Sequence, residues 1–197
     1  MESRAKLLGH PIHQMLVVFP LGLLSAGVVF DIVALMSEAP LWGWMAYYLL
    51  GAGIVAGLVA AVFGAIDYFA IPRGTRARYV GTLHGVGNVV VVALFGAGWL
   101  LRQETPADPP VVALLFSVLA FLLSAATAWL GGELVDRLGV GVDDGAHLNS
   151  PSSLSGRPAS EGRMITTRGP GYGGTERRGR PQLAYAGTER RAPGGSR

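Results

Sequence analysis

Four polar side chains stand where they could bind a cofactor at one end of a helical bundle. His10 and His13 lie at the start of the first long apolar run. His84 and Asn88 stand four residues apart near the start of a later run, so they share one face of a helix. Imidazole is a ligand for haem iron and for several first-row metal ions. These four residues therefore form the candidate cofactor site.

The pair His13 and His84 has the placement that a b-type haem needs. In a ring of four sequential helices the first and third are diagonal, so each could project one imidazole to the central axis at the same level. A haem bound in this way takes one axial ligand from each side.

Three other interpretations of the same residues stay open. A mononuclear metal ion is one, with imidazole and carboxylate ligands from His10, His13, His84 and Asp67. A quinone head group hydrogen-bonded by histidine and asparagine is another. In the third there is no ligand: His13 caps its helix, and His84, Asn88 and Asp67 satisfy one another.

Four long apolar runs must position these side chains. They cover about residues 15–36, 42–71, 80–101 and 111–130. A bilayer core of about 30 Å needs about 20 helical residues, and each run reaches that length. Backbone groups must pair inside lipid, so each run is predicted to be a helix. Short connections then predict an all-α, integral membrane, up-down-up-down four-helix bundle.

The composition agrees with a membrane protein and excludes several classes of site. Hydrophobic residues make up 50% of the chain and charged residues only 15%, whereas soluble domains have about 25% charged residues. The chain has no cysteine, which excludes disulfides, cysteine-bound iron–sulfur clusters and covalent c-type haem. No catalytic motif of a soluble enzyme is present, so the sequence leaves enzymatic activity open.

Charge along the chain predicts its orientation. Most basic residues before position 142 flank one side of the four runs: Arg4, Lys6, Arg73, Arg76, Arg78 and Arg137. The opposite flank offers Arg102, so the positive-inside rule places both termini in the cytoplasm. Asp31 is predicted near the outer end of the first helix, hydrogen-bonded by Tyr47 or Tyr48.

Two local features predict how the helices pack and bend. Small residues recur every four positions in the second and third runs: Gly53, Gly57, Ala61, Ala65, Gly81 and Gly85. This spacing allows close helix packing inside the bundle, or contact with a second copy of the chain in a homo-oligomer. Pro20 leaves the carbonyl of Leu16 without an amide partner, which predicts a bend in the first helix.

The domain division follows a change in composition near residue 143. Residues 1–142 are predicted to form the transmembrane domain, and residues 143–197, rich in Gly, Ser, Pro and Arg, a disordered cytoplasmic tail. The net charge of +3 comes from this tail, so it does not indicate a nucleic-acid-binding fold. Residues 172–178 recur almost unchanged at 185–191. This repeat is interpreted as a pair of docking motifs for a partner, as a contact for anionic lipid, or as a sequence with no specific role.

Several segments resemble the DUF2231 family of bacterial four-span membrane proteins. They include Gly-His-Pro-Ile-His at 9–13, Gly-Ala-Ile-Asp-Tyr at 64–68, Ile-Pro-Arg-Gly-Thr-Arg-Ala at 71–77 and Gly-Gly-Glu-Leu-Val at 131–135. The resemblance implies a four-span inner-membrane domain. In some relatives a similar domain accompanies Rieske-type or cytochrome modules, which favours electron transfer. A Rieske partner would have to be a separate protein, because this chain has no cysteine.

The leading hypothesis is therefore a redox or electron-transfer subunit of the inner membrane. Its cofactor, a b-type haem, would lie at the cytoplasmic side between His13 and His84, and its partners would be the lipid bilayer and a separate Rieske- or cytochrome-type protein. The alternatives are a non-catalytic scaffold that recruits partners through its tail and a small transporter. A transporter is less favoured because the runs carry no acidic residue near the membrane midplane.

Overall fold

Four helices of membrane-spanning length make up the bundle. The computed structural model describes residues 1–37 and 39–162. The candidate spans are Ile12–Met36, Pro40–Ala70, Arg76–Leu101 and Val111–Arg137, and each is long and apolar enough to cross a bilayer. The prediction of an all-α four-helix membrane protein is confirmed.

Local sequence explains where these helices begin and end. The helices are α1 Ile12–Leu16, α2 Val18–Met36, α3 Pro40–Ala70, α4 Arg76–Leu101 and α5 Val111–Gly132, followed by a π-helix at Glu133–Arg137. Pro40 starts α3, where a missing N–H costs nothing. The hydroxyl of Thr75 caps α4 by accepting a hydrogen bond from the Arg78 amide at 3.1 Å.

The first span has a local irregularity at Val17, between α1 and α2. Pro20 lies three residues further on and has no N–H to donate to the carbonyl of Leu16. Val17 keeps helical φ and ψ of −62° and −19°, its amide donates to His13 and its carbonyl accepts from Leu21, so the helix continues through this point to Met36.

The bundle consists of two tightly packed pairs of helices. Contacts are most extensive between α2 and α3 and between α4 and α5, while contacts of α3 with α4 and of α2 with α5 close the ring. We call α1–α3 the first hairpin and α4–α5 the second hairpin. The buried core between them includes Leu24, Leu50, Val91, Phe95 and Ala120.

A short extended segment covers the end of the bundle that carries the histidines. Strands β1 (Lys6–Leu7) and β2 (His10–Pro11) pair antiparallel through a turn in which Leu8 and Gly9 have positive φ. The Met1 ammonium donates to the Gly139 carbonyl at 3.0 Å, which ties the segment to the residues that follow the π-helix.

The chain divides into two units, Met1–Val142 and Asp143–Arg197. In the second unit, residues 143–162 contain turns and a 3-10 helix at Ser153–Ser155. Arg157 pairs with Glu161 there, and this hydrogen bond lowers the pKa of the glutamate. The remainder of the predicted tail, with both copies of its repeat, lies outside the described residues.

Candidate functional site

His13 projects from α1 onto the side of α3. Its Nδ1 donates to the carbonyl oxygen of Ala60 at 2.8 Å. Gly64, four residues further along α3, lies against the ring: a Cβ there would come within 2.8 Å of His13 Cε1. The glycine therefore provides the space that lets the imidazole reach the backbone of the neighbouring helix.

His84 repeats this arrangement in the second hairpin. Its Nδ1 donates to the carbonyl oxygen of Thr127 in α5 at 2.9 Å. Gly131 stands four residues after Thr127, and a Cβ at that position would lie 3.1 Å from His84 Cε1. Both histidines are thus held by a backbone carbonyl and a glycine of the partner helix in their own hairpin.

The two imidazole rings meet inside the bundle. Their centroids lie 6.4 Å apart and their planes are inclined at 88°. A carbonyl oxygen only accepts hydrogen bonds, so each Nδ1 must carry its proton, and in the neutral ring Nε2 then carries a lone pair. This arrangement is typical of metal-binding histidines, whose other nitrogen donates to a carbonyl or carboxylate.

Asn88 and Thr127 complete the polar surroundings of His84. The Asn88 amide donates to the His84 carbonyl at 2.8 Å and lies 3.4 Å from Nδ1 and 3.2 Å from Nε2. An atom almost equidistant from both ring nitrogens lies over the ring and not along the lone pair of either. The Thr127 hydroxyl donates to Asn88 Oδ1 at 3.1 Å, which fixes the orientation of the amide.

Asp67 and His10 do not join the histidine pair. Asp67, expected to be a ligand with His13 and His84, instead accepts hydrogen bonds from the Ser3 hydroxyl at 2.8 Å and from the Arg4 amide at 2.7 Å. His10 is exposed on β2. Among the described residues there is no group of three or more His, Cys, Asp or Glu side chains placed to hold a metal ion.

The ligand-free interpretation also differs from the structure in detail. The first turn of α1 has Pro11 at its N-cap and no side-chain cap hydrogen bond, so His13 does not cap its helix. His84 and Asn88 do contact one another, but the Asp67 carboxylate is bound by the N-terminal segment.

A buried ion pair lies near the other end of the bundle. Arg102 Nη1 donates to Asp31 Oδ1 at 2.7 Å and Nη2 to Oδ2 at 2.9 Å, and the guanidinium side chain is 0% exposed. Nη2 also donates to the Ser117 hydroxyl at 3.2 Å. The predicted hydrogen bond from Tyr47 or Tyr48 to Asp31 is wrong, because Arg102 occupies the carboxylate.

Sequence reasoning placed Arg102 in an exposed flank and so missed this pair. The available signal was that an acid and a base stand near the outer ends of two diagonal helices, where an ionisable group in lipid normally faces the bundle interior. A partly open depression of about 40 Å³ borders Asp31 and Asp108, with room for water. A shallow depression of about 170 Å³ lies on the surface of α5 at Val112, Leu115, Phe116 and Leu119. Neither of these two depressions borders the histidines.

The spacing of the two rings is close to that of two imidazoles bound to one metal ion. Imidazole nitrogen binds a metal at about 2.0–2.1 Å, and the ring centre lies about 1 Å beyond it, so two imidazoles on opposite sides of one ion have centres about 6 Å apart. The ring centroids of His13 and His84 lie 6.4 Å apart. A four-coordinate zinc site would need two more ligands than this pair supplies.

The comparisons with known proteins identify the family. No curated protein and no solved structure matches the chain. A protein family described as "Predicted membrane protein (DUF2231)" matches residues 9–144, a region that includes all four spans and both members of the imidazole pair. The match covers more than half of the chain and agrees with its four membrane-spanning helices. The chain is a membrane protein that belongs to the DUF2231 family.

Proposed function

We propose that the protein is an electron-transfer subunit that binds one b-type haem between His13 and His84. The observation that carries the proposal is the meeting of two imidazoles from diagonal helices at 6.4 Å, each with Nδ1 held by a backbone carbonyl. Bound haem would supply one-electron redox chemistry. The chain would supply the two axial nitrogens and their orientation.

The surrounding contacts support a ligand role for both rings. A hydrogen bond from Nδ1 to a carbonyl fixes the ring and increases the basicity of Nε2 towards a metal. In His13 that bond is made to α3 and in His84 to α5. Asn88, held by Thr127, would keep the His84 ring in its rotamer. His10, exposed at the same end, would lie at the entrance and not in the coordination sphere.

The weaker packing between the two hairpins supports a haem site at their boundary. Each histidine is attached within its own hairpin, and contacts within a hairpin exceed those between hairpins. A planar cofactor would have to enter along the boundary between the two hairpins, where less packing opposes a local separation. The predicted cytoplasmic orientation, inner-membrane location and separate Rieske- or cytochrome-type partner belong to this proposal.

An absorption spectrum tests the proposal directly. The full chain is expressed with haem supplied in excess, purified in detergent, and measured in its oxidised and dithionite-reduced forms. We expect a Soret band that shifts on reduction, and we expect His13→Ala and His84→Ala each to abolish it.

His147→Ala is the matched control, because this histidine lies in the second unit of the chain, and the variant should keep the band. A colourless, monodisperse wild-type protein from cells with excess haem would refute the haem site and favour the scaffold interpretation.

A further inference from the structure

The contacts of the first hairpin recur at matching positions in the second. His13 donates to Ala60, and His84 donates to Thr127. The ring of each histidine lies against a glycine four residues after the accepting carbonyl. The same arrangement of a histidine, an accepting carbonyl and a glycine therefore occurs once in each hairpin.

The correspondence continues along both helices of each hairpin. Fourteen residues after the histidines stand Gly27 and Gly98, both buried. A Cβ on Gly27 would touch the side chain of Leu50, and one on Gly98 would lie 3.4 Å from the Ser117 hydroxyl. Leu50 and Ser117 each stand ten residues before the carbonyl that binds the histidine of their hairpin, and both are fully buried.

Burial follows the same register. Eleven residues after the histidines stand Leu24 and Phe95, which both belong to the core. Fourteen residues before the accepting carbonyls stand Ala46 and Ala113, and both are 0% exposed. The paired residues are identical at the histidines, at the glycines and at Ala46 and Ala113, and they differ at the other three pairs. The correspondence is therefore one of contacts more than of residue identity.

The order of the helices defines the symmetry of this repeat. Both hairpins run up and then down, so a two-fold axis along the membrane normal would relate them, as in transporters built from parallel repeats. Such an axis exchanges α2 with α4 and α3 with α5. Residues at equivalent positions of the diagonal helices can then meet at the axis, as His13 and His84 do.

The buried ion pair also joins equivalent positions of the two diagonal helices, but here the two residues carry opposite charges. Eighteen residues after each histidine stand Asp31 and Arg102, which form the buried bidentate pair. Two first hairpins placed together would bury two carboxylates at this point, and two second hairpins would bury two guanidiniums. Uncompensated buried charges are strongly destabilising.

We infer that the two hairpins are halves of a duplicated unit, and that Asp31 and Arg102 make each half select the other over a copy of itself. Like-charge juxtaposition against wrong partners is a general route to specificity. The residues around the ion pair also differ between the hairpins. The Ser117 hydroxyl accepts from the Arg102 guanidinium and donates to the Ala113 carbonyl, whereas apolar Leu50 occupies the equivalent position in the first hairpin.

A charge exchange in the full chain tests this inference. The single variants Asp31→Arg and Arg102→Asp each bury two like charges, and we expect each to shift the folding equilibrium by at least about a hundredfold towards unfolded or aggregated protein. The exchanged variant carries Asp31→Arg with Arg102→Asp, and also Leu50→Ser with Ser117→Leu. This variant exchanges the acid with the base and moves the serine beside the guanidinium into the first hairpin.

The readout is the monodisperse fraction in size-exclusion chromatography together with the thermal unfolding midpoint in detergent, so it does not depend on haem. We expect the exchanged variant to recover most of the wild-type signal, with Leu50→Ser and Ser117→Leu alone as the matched control. An exchanged variant as defective as the single variants would overturn the equivalence of the two positions. Single variants that fold like wild type would overturn the role of the ion pair.

Discussion

At the residue scale, two glycines decide whether the histidines can reach their carbonyls. A Cβ at Gly64 would lie 2.8 Å from the His13 ring, which leaves no room for a methyl group, and one at Gly131 would lie 3.1 Å from the His84 ring, which would have to move by a few tenths of an ångström. Glycine in a helix interior lowers stability by about 1 kcal/mol relative to alanine. Its occurrence at both positions is therefore explained by the contact with the ring and not by helix propensity.

Substitution of these glycines should act on the site. We expect Gly64→Ala to displace the His13 ring, to weaken retention of the proposed haem, and to destabilise the protein by about 1–3 kcal/mol through overpacking. Gly131→Ala should have a smaller effect of the same kind, because its contact with the His84 ring is less close. Thermal unfolding and the ratio of Soret to protein absorbance measure both effects.

Gly22→Ala is the control, because no atom would lie within 4 Å of its Cβ. It should be neutral or slightly stabilising, by less than about 1 kcal/mol. If the two site variants behaved like Gly22→Ala, the close approach of ring and helix would be incorrect.

The sequence predicted part of the site at this scale. The position of His13 and His84 near the same end of diagonal helices was enough to pair them, since helix order and the lengths of the runs fix the level of each residue. Asp67 was expected at the same level by that argument, but the N-terminal segment that binds it has no periodicity to reveal its path. The partner of Asp31 was missed because the pair joins residues 71 positions apart.

At the element scale, Pro20 removes one backbone hydrogen bond from the first span, close to the turn that carries His13. The Val17 amide donates to the His13 carbonyl and the Leu21 amide to the Val17 carbonyl, so the helix continues from α1 into α2, but position 20 offers no amide to the Leu16 carbonyl. We expect the local backbone, and with it the placement of the His13 ring, to depend on this proline.

Replacement of Pro20 should therefore stabilise the helix and weaken binding of the proposed haem. Pro20→Ala restores an amide that can donate to Leu16, so we expect a higher unfolding midpoint and a lower haem content. A proline inside a helix costs about 3 kcal/mol relative to alanine, although tertiary packing offsets part of this in the native protein.

Pro40→Ala is the comparison, because proline in the first turn of α3 removes no helical hydrogen bond. It should leave haem content unchanged. Equal haem content in Pro20→Ala and wild type would show that Pro20 does not influence the placement of the His13 ring.

Helix existence and type were predictable from the sequence, whereas the repeat was not. Twenty or more apolar residues in lipid leave the backbone no other choice than a helix. The correspondence between hairpins is hidden at several positions, since Leu50 matches Ser117 and Asp31 matches Arg102. The few identical pairs stand too far apart in the chain to reveal a repeat without the contacts. Comparison of residue identities cannot detect equivalence between positions of opposite polarity.

At the scale of the whole molecule, the orientation in the membrane is open to a simple measurement. The chain has no cysteine, so a single introduced thiol reports one position. Arg73 lies exposed between α3 and α4, and Gln103 lies exposed after α4, at opposite ends of the same span.

The positive-inside rule predicts which of the two thiols faces the outside. In intact cells a membrane-impermeant maleimide should label Gln103→Cys and should label Arg73→Cys only after the inner membrane is permeabilised. The reverse pattern would place the histidine end on the outer face and move the proposed electron partner to that side.

The attachment of each imidazole to its own hairpin has a mechanical consequence. His13 moves with α3 and His84 moves with α5, so the spacing of the rings reports the width of the boundary between the halves. Changes in bilayer thickness or lateral pressure that separate the two hairpins would therefore increase the distance between the imidazoles.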